Sequence, residues 1–162
     1  MSISTSTSST SLGASVLQDE GYRLMGAAFE VYNLLGYGMA EEVYQQCLEI
    51  ELGLRAIPYK AKPELIVVYK GQQLETTYRP DLIVFDSIIV ELKAAAKVVA
   101  EHEAQLFNYM RIAKRPVGYL LNFGYKGQLE WKRYILSDLH VESFVAKDIH
   151  GQEKRLAEIS VY

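Results

Sequence analysis

The stretch Arg79-Pro-Asp-Leu-Ile-Val-Phe-Asp-Ser-Ile-Ile-Val-Glu-Leu-Lys93 decides the fold of this 162-residue chain. It contains two β-branched and apolar runs, Leu82 to Phe85 and Ile88 to Leu92. The only turn signal between them is Asp86-Ser87. Because both runs are of strand length and closely spaced, the stretch predicts an antiparallel hairpin that folds about position 86.

Two carboxylates face each other at the open end of this predicted hairpin. Folding about position 86 sets Asp81 opposite Glu91, where Cβ atoms lie roughly 4.5–5.5 Å apart and like charges repel. Glu91 also lies in an apolar strand, where a charge is costly unless it is paired or metal-bound. Lys93 follows on the same face, because side chains alternate along a strand. Hard divalent cations prefer such oxygen ligands, so the pattern predicts a magnesium site, with a buried Lys93 salt bridge as the alternative.

Helical periodicity precedes the hairpin. Residues 19–35 predict a helix that ends at Gly36, and a second helix is predicted from about Ala40 to Leu52. The second helix is predicted to bury Val43, Cys47, Ile50 and Leu54 and to point Glu42, Gln45, Gln46 and Glu49 outward. Glu41 begins this helix, where the helix dipole alone favours an acidic residue. Its spacing to Tyr44 and Leu48 places it along the border of the buried stripe.

Strands and a third helix complete the predicted core. The other predicted strands are Glu64 to Tyr69 and Leu74 to Tyr78, joined by a turn at Lys70-Gly71-Gln72, then Val117 to Asn122 and an edge strand from Leu129 to Leu136. The third helix spans about Val99 to Ala113, and Pro116 ends the segment.

The third helix carries polar residues that suit contacts with phosphate. Gln105 and Tyr109 lie one turn apart on one face and could donate hydrogen bonds to phosphate oxygens. Spacing alone favours the alternative, a partly exposed helix whose Tyr packs on the sheet. Arg111, Lys114 and Arg115 gather at the end of the helix, where cations also suit the dipole. They would attract phosphates if they shared a face with Gln105 and Tyr109.

Composition limits the class of protein. Residues 1–18 are rich in Ser and Thr and are expected to form a disordered tail. No apolar run approaches the roughly 20 residues of a membrane span, so no membrane partner is expected. The single Cys47 excludes an internal disulfide, which makes the cytoplasm the expected location. A formal net charge of −3 argues against a coat that binds polyanions nonspecifically.

Taken together, these residues resemble the small GxxExxY family of the PD-(D/E)XK nuclease superfamily. The resemblance runs from about Gly26 to Phe123. Its markers are Gly38-Met-Ala-Glu-Glu-Val-Tyr44, Gly26-Ala-Ala-Phe-Glu-Val31, Tyr69-Lys70-Gly71, Arg79-Pro80-Asp81, Val90-Glu91-Leu92-Lys93, His102-Glu-Ala-Gln-Leu-Phe-Asn-Tyr109 and Leu121-Asn-Phe-Gly124. Each marker alone is weak, but their order and spacing together are specific.

The resemblance implies a three-layer α/β core in the order αβββαβ, a mixed sheet flanked by helices, over residues 19–136. It implies Asp81, Glu91 and Lys93 as the catalytic set, with Glu41 as an acidic residue on a helix. Gln105 and Tyr109 would take the role of the Gln-x-x-x-Tyr motif of recombination exonucleases. Residues 137–162 lie outside the resemblance, and no motif is assigned to them.

The expected activity is hydrolysis of phosphodiester bonds with Mg²⁺, or Mn²⁺ as a substitute. Asp81, Glu91 and the backbone carbonyl of Leu92 would hold one ion, and Glu41 would bind a second ion or a metal-bound water. Nucleic acid is the expected partner, with DNA preferred, and a homo-oligomer stays open. The alternatives are a catalytically silent module that binds nucleic acid or protein, and an interaction domain whose carboxylates are salt-bridged.

Overall fold

The computed structural model describes residues 16–136, 144–147 and 153–156. Residues 1–15 of the predicted tail therefore lie outside the described residues. The elements in chain order are α1 (Gln18–Leu35), α2 (Glu41–Leu54), β1 (Tyr59–Ala61), β2 (Leu65–Tyr69), β3 (Gln72–Tyr78), β4 (Leu82–Val84), β5 (Ile88–Lys93), α3 (Ala100–Ala113), β6 (Val117–Asn122), β7 (Glu130–Leu136), β8 (Phe144–Lys147) and β9 (Glu153–Leu156). Within these described ranges no helix is both long enough and apolar enough to cross a membrane.

Seven strands form one mixed sheet in the order β1-β4-β5-β6-β7-β8-β9. Strands β5 and β6 are parallel, and the other neighbours are antiparallel. Because α3 connects two parallel strands, it starts at the carboxyl end of β5 and runs back toward the turn of the β4–β5 hairpin. Strands β2 and β3 form a separate antiparallel hairpin. A mixed sheet flanked by helices confirms the predicted α/β class.

Strand β5 is buried on both faces and separates two apolar clusters. Ile88, Val90 and Leu92 belong to the cluster with α1 and α2, whereas Ile89 belongs to the cluster with α3. This alternation follows from the two-residue period of a strand. Burial of each such side chain contributes roughly 1.5–3 kcal/mol, so β5 is held firmly between the two helical layers.

The β4–β5 hairpin has the predicted register. Leu82 pairs with Val90 and Val84 pairs with Ile88, so the hairpin folds about position 86. Phe85 and Asp86 form the turn with φ of 54° and 52°. A turn with two successive residues at positive φ has a backbone twist that matches the right-handed twist of the flanking strands. Such turns are therefore common in tight hairpins.

The predicted buried face of α2 was wrong. The residues that α2 buries are Tyr44, Gln45, Leu48 and Leu52, whereas Val43, Ile50 and Leu54 are exposed and Cys47 is partly buried. Two stripes of α2 are apolar, and periodicity could not choose between them. The ring of Tyr44 decides the orientation, because it stacks on Phe123 at 4.8 Å between ring centroids.

The hydroxyl of Tyr44 holds the loop between α1 and α2. It donates to the carbonyl of Gly36 at 2.6 Å and accepts from the N–H of Met39 at 3.1 Å. A buried tyrosine needs such partners for its hydroxyl. The tyrosine of the Gly38–Tyr44 motif therefore fixes the start of α2, where Glu41 lies.

Two details of the sheet also differ from prediction. Strand β1 was not predicted, because its three residues are exposed and carry no apolar alternation. Strand β7 was predicted as an edge strand, but β8 pairs with its end through Leu136 and Ala146. Beyond residue 136, only the backbones of β8 and β9 are described.

Candidate active site

The carboxylates of Asp81 and Glu91 lie across from each other at the open end of the β4–β5 hairpin. The N–H of Asp81 donates to Glu91 Oε1 at 2.8 Å, and the N–H of Leu92 donates to Asp81 Oδ2 at 2.7 Å. Each carboxylate thus accepts from the opposite strand. The two side chains continue the strand pairing beyond Leu82, where the backbone register ends.

Burial makes this carboxylate pair hard to ionise. Glu91 is only 3% exposed, and burial together with the charge of Asp81 raises its pKa to about 8. Burial likewise raises the pKa of Asp81, against the hydrogen bond from Leu92. Lys93 lowers both pKa values, but less than burial raises them. A pair of this kind holds a proton near neutral pH unless another cation offsets its charge.

Lys93 begins a chain of hydrogen bonds on the α3 side of the sheet. Its Nζ donates to Gln105 Oε1 at 2.9 Å, and Gln105 Nε2 donates to the hydroxyl of Tyr109 at 3.0 Å. Burial and the charge of Glu91 raise the pKa of Tyr109, so this hydroxyl stays protonated. The structure therefore brings the two polar residues of α3 to the lysine and carboxylates of the hairpin.

Helix α2 supplies two polar side chains from the other side of the sheet. Glu41 is exposed, and its negative charge raises the pKa of both Asp81 and Glu91. Gln45 was predicted to point outward, but it is only 2% exposed and donates to the carbonyl of Asp81 at 3.1 Å. Gln45 therefore fixes the backbone that carries Asp81.

Lys62 is a cation of the site that periodicity and motifs did not reveal. Its backbone N–H donates to the carbonyl of Asp81 at 2.9 Å, and its positive charge lowers the pKa of Asp81. Its Nζ pairs with Glu42 at 2.9 Å. Lys62 follows β1 at a φ of 46°, and its place depends on that unpredicted strand.

Of the three cations at the end of α3, Arg115 lies away from the carboxylates. Arg115 donates to the carbonyl of Asp86 at 2.7 Å, in the hairpin turn at the opposite end of β5. Lys114 caps the same end of α3, and Arg111 lies within the last turn, where burial lowers its pKa. Contact of Arg111 and Lys114 with a phosphate stays a prediction.

The donor chemistry of the pair fits a hard divalent cation. Asp81 and Glu91 each use one oxygen for a backbone hydrogen bond, which leaves the other oxygen for a ligand. Carboxylate and carbonyl oxygens are what Mg²⁺ and Mn²⁺ prefer. Nowhere in the described part of the chain do three His, Cys, Asp or Glu side chains converge as a metal site. Glu41 therefore lies near the pair without completing a three-residue ligand set.

One family model matches most of the chain. The model of the PD-(D/E)XK nuclease superfamily matches residues 18–134. The crystal structure of SSO0001 is similar with a TM-score of 0.47 and 19% identity, over 73% of this chain and 59% of that one. No curated protein matches the chain. Because the superfamily model matches more than half of the sequence, including the paired carboxylates and Lys93, the chain belongs to the PD-(D/E)XK nuclease superfamily.

Proposed function

We propose that this protein is a metal-dependent nuclease that hydrolyses phosphodiester bonds of nucleic acid, with DNA as the expected substrate. The observation that carries the proposal is the buried pair of Asp81 and Glu91 beside Lys93. Structural ion pairs also perturb pKa values, but here two acids are opposed and Lys93 bonds to Gln105 instead.

Asp81, Glu91 and the backbone carbonyl of Leu92 would hold the ion, and Glu41 would support it or a second ion from α2. A bound Mg²⁺ or Mn²⁺ supplies Lewis-acid polarisation of the phosphoryl oxygen and a water of lowered pKa. Glu91 would lose its proton on binding, because a ligand carboxylate must be ionised.

Lys93 would act on the phosphate. Its ammonium group is held by Gln105 on the α3 side, where it can offset charge that develops on the phosphate and orient the attacking water. Gln105 and Tyr109 form one polar unit that keeps Lys93 in place and offers a further hydrogen-bond donor to the phosphate.

We infer in addition that the chain is a GxxExxY-type member of the superfamily. The support is Tyr44, which joins Gly36 to Met39 and so sets the start of α2 beside Glu41. The cytoplasm remains the expected location, on the evidence of the single cysteine.

Cleavage of a labelled panel tests the proposal. Single- and double-stranded DNA and RNA are incubated with the protein in Mg²⁺, Mn²⁺ or EDTA. We expect cleavage that EDTA abolishes and that Asp81→Asn reduces at least about 100-fold. Binding without cleavage would favour the silent nucleic-acid-binding module. Neither binding nor cleavage of any member would favour an interaction domain.

A further inference from the structure

The β2–β3 hairpin stands apart from the large sheet and exposes apolar side chains. Its exposed large residues are Ile66, Val68, Tyr69, Leu74 and Tyr78. A two-stranded hairpin is marginal by itself in water, so apolar exposure along it is costly. Several exposed apolar side chains on so small an element point to an interaction surface.

The base of this hairpin is joined to the candidate site. The ring of Tyr78 meets that of Tyr109 edge to face, with 6.0 Å between ring centroids. Leu65 pairs with Tyr78 and packs against the cluster under α3. Asp81 follows Tyr78 after two residues. The hairpin thus begins beside the carboxylates and extends away from them.

The tip of the hairpin presents a second aromatic ring. Tyr69 lies four residues after Leu65, with an irregularity in the β2–β3 register between them. Four residues of strand span about 13 Å. Tyr69 is 51% exposed, and Lys70 Nζ lies 5.5 Å from the centroid of its ring. Tyr78 and Tyr69 thus mark the base and the tip of the hairpin.

The charge of the hairpin and its flanking residues suits a polyanion better than the net charge of the whole chain does. Residues 62–79 carry the cations Lys62, Lys70 and Arg79 against two carboxylates, in a chain of net charge −3. Arg79 is held by Glu64 at 3.5 Å and Lys62 by Glu42, whereas Lys70 has no ion-pair partner among the described residues. A free cation beside an exposed ring is the combination that binds phosphate and base together.

We propose that the β2–β3 hairpin is a stacking platform for unpaired bases, which makes the substrate single-stranded nucleic acid. Exposed rings can stack on a base only where its face is not already covered by a duplex. The identification of a substrate rests on the proposed nuclease function. The binding itself does not, because it needs only Tyr69, Tyr78 and nearby cations.

Binding of labelled oligonucleotides tests the platform. Fluorescein-labelled oligothymidylate, oligouridylate and a duplex of equal length are titrated with the protein in EDTA, so that nothing is cleaved. We expect Tyr69→Ala to weaken single-strand binding about tenfold and Tyr69→Phe to keep it within about twofold. Tyr22→Ala removes a still more exposed ring, 83% exposed, from α1 and should change nothing. The deoxy and ribo strands separate a DNA from an RNA substrate.

Three outcomes decide the matter. Equal single-strand binding by Tyr69→Ala and wild type would overturn the platform. So would light scattering that shows the Tyr69→Ala change to abolish a dimer while oligonucleotide binding is kept, since the hairpin would then cover a second copy. Tyr69-dependent binding without any cleavage in Mg²⁺ or Mn²⁺ would support the platform and reject the nuclease.

Discussion

At Glu91, burial and neighbouring charge act in the same direction. The carboxyl has a pKa of about 8, so the folded protein holds a proton there that the unfolded chain has already lost. Stability from this group is complete at low pH and is lost as the pH rises toward 8. Binding of a divalent cation should strengthen over the same range, because the proton and the metal compete for the same oxygens.

We therefore expect the melting temperature of the metal-free protein to fall by several degrees between about pH 5 and pH 8, more than that of Glu91→Gln. The glutamine keeps an oxygen that can accept from the N–H of Asp81, so the fold should persist. Thermal unfolding in EDTA across this range measures the effect. Parallel curves for both proteins would show that Glu91 is ionised in the fold.

Glu41 and Glu42 are adjacent, but their surroundings differ. Glu41 acts electrostatically on the carboxylate pair, whereas Glu42 pairs with Lys62 and Gln46. We expect Glu41→Gln to lower cleavage at least about tenfold and Glu42→Gln to lower it less than about twofold. Steady-state cleavage in saturating Mg²⁺ compares them. Equal losses would mean that α2 presents a different face to the substrate.

Among the elements, the β4–β5 hairpin could be predicted, whereas for α2 the helix could be predicted but its buried face could not. The hairpin register followed from one turn signal and two runs of strand residues, and it brought Asp81 opposite Glu91. Helix α2 has two apolar stripes, so its buried face depends on a distant residue, Phe123, that local periodicity does not reveal. The position of Lys62 could not be predicted either, because it depends on β1, which periodicity also does not reveal.

The hydroxyl group of Tyr44 should contribute to the free energy of unfolding in addition to the stacking of its ring. Tyr44→Phe keeps the stacking on Phe123 but leaves the carbonyl of Gly36 without its donor. We expect the free energy of unfolding to fall by about 1–2 kcal/mol. Urea unfolding measures it, with Tyr37→Phe on the same exposed loop as the control. A loss under about 0.3 kcal/mol would show that water replaces the hydroxyl.

Across the whole molecule, the carboxylates lie at the opposite end of β5 from Lys114 and Arg115, which follow α3. A ligand must therefore be long to contact both. We expect Lys114→Gln to leave the affinity for short oligonucleotides unchanged, and to lower the log–log salt slope by about one unit for long nucleic acid. Fluorescence titrations at several salt concentrations check this. A loss of affinity for short ligands would place Lys114 beside the site.

Single-turnover cleavage by Lys93→Ala tests the central claim most directly. Lys93 is held beside the paired carboxylates by Gln105, so its loss should remove transition-state stabilisation while most of the binding surface remains. With saturating enzyme and Mg²⁺, wild type should cut labelled nucleic acid and Lys93→Ala should be about 100-fold to 10,000-fold slower, with a similar dissociation constant. Cleavage by Lys93→Ala at the wild-type rate would contradict the assignment of the site.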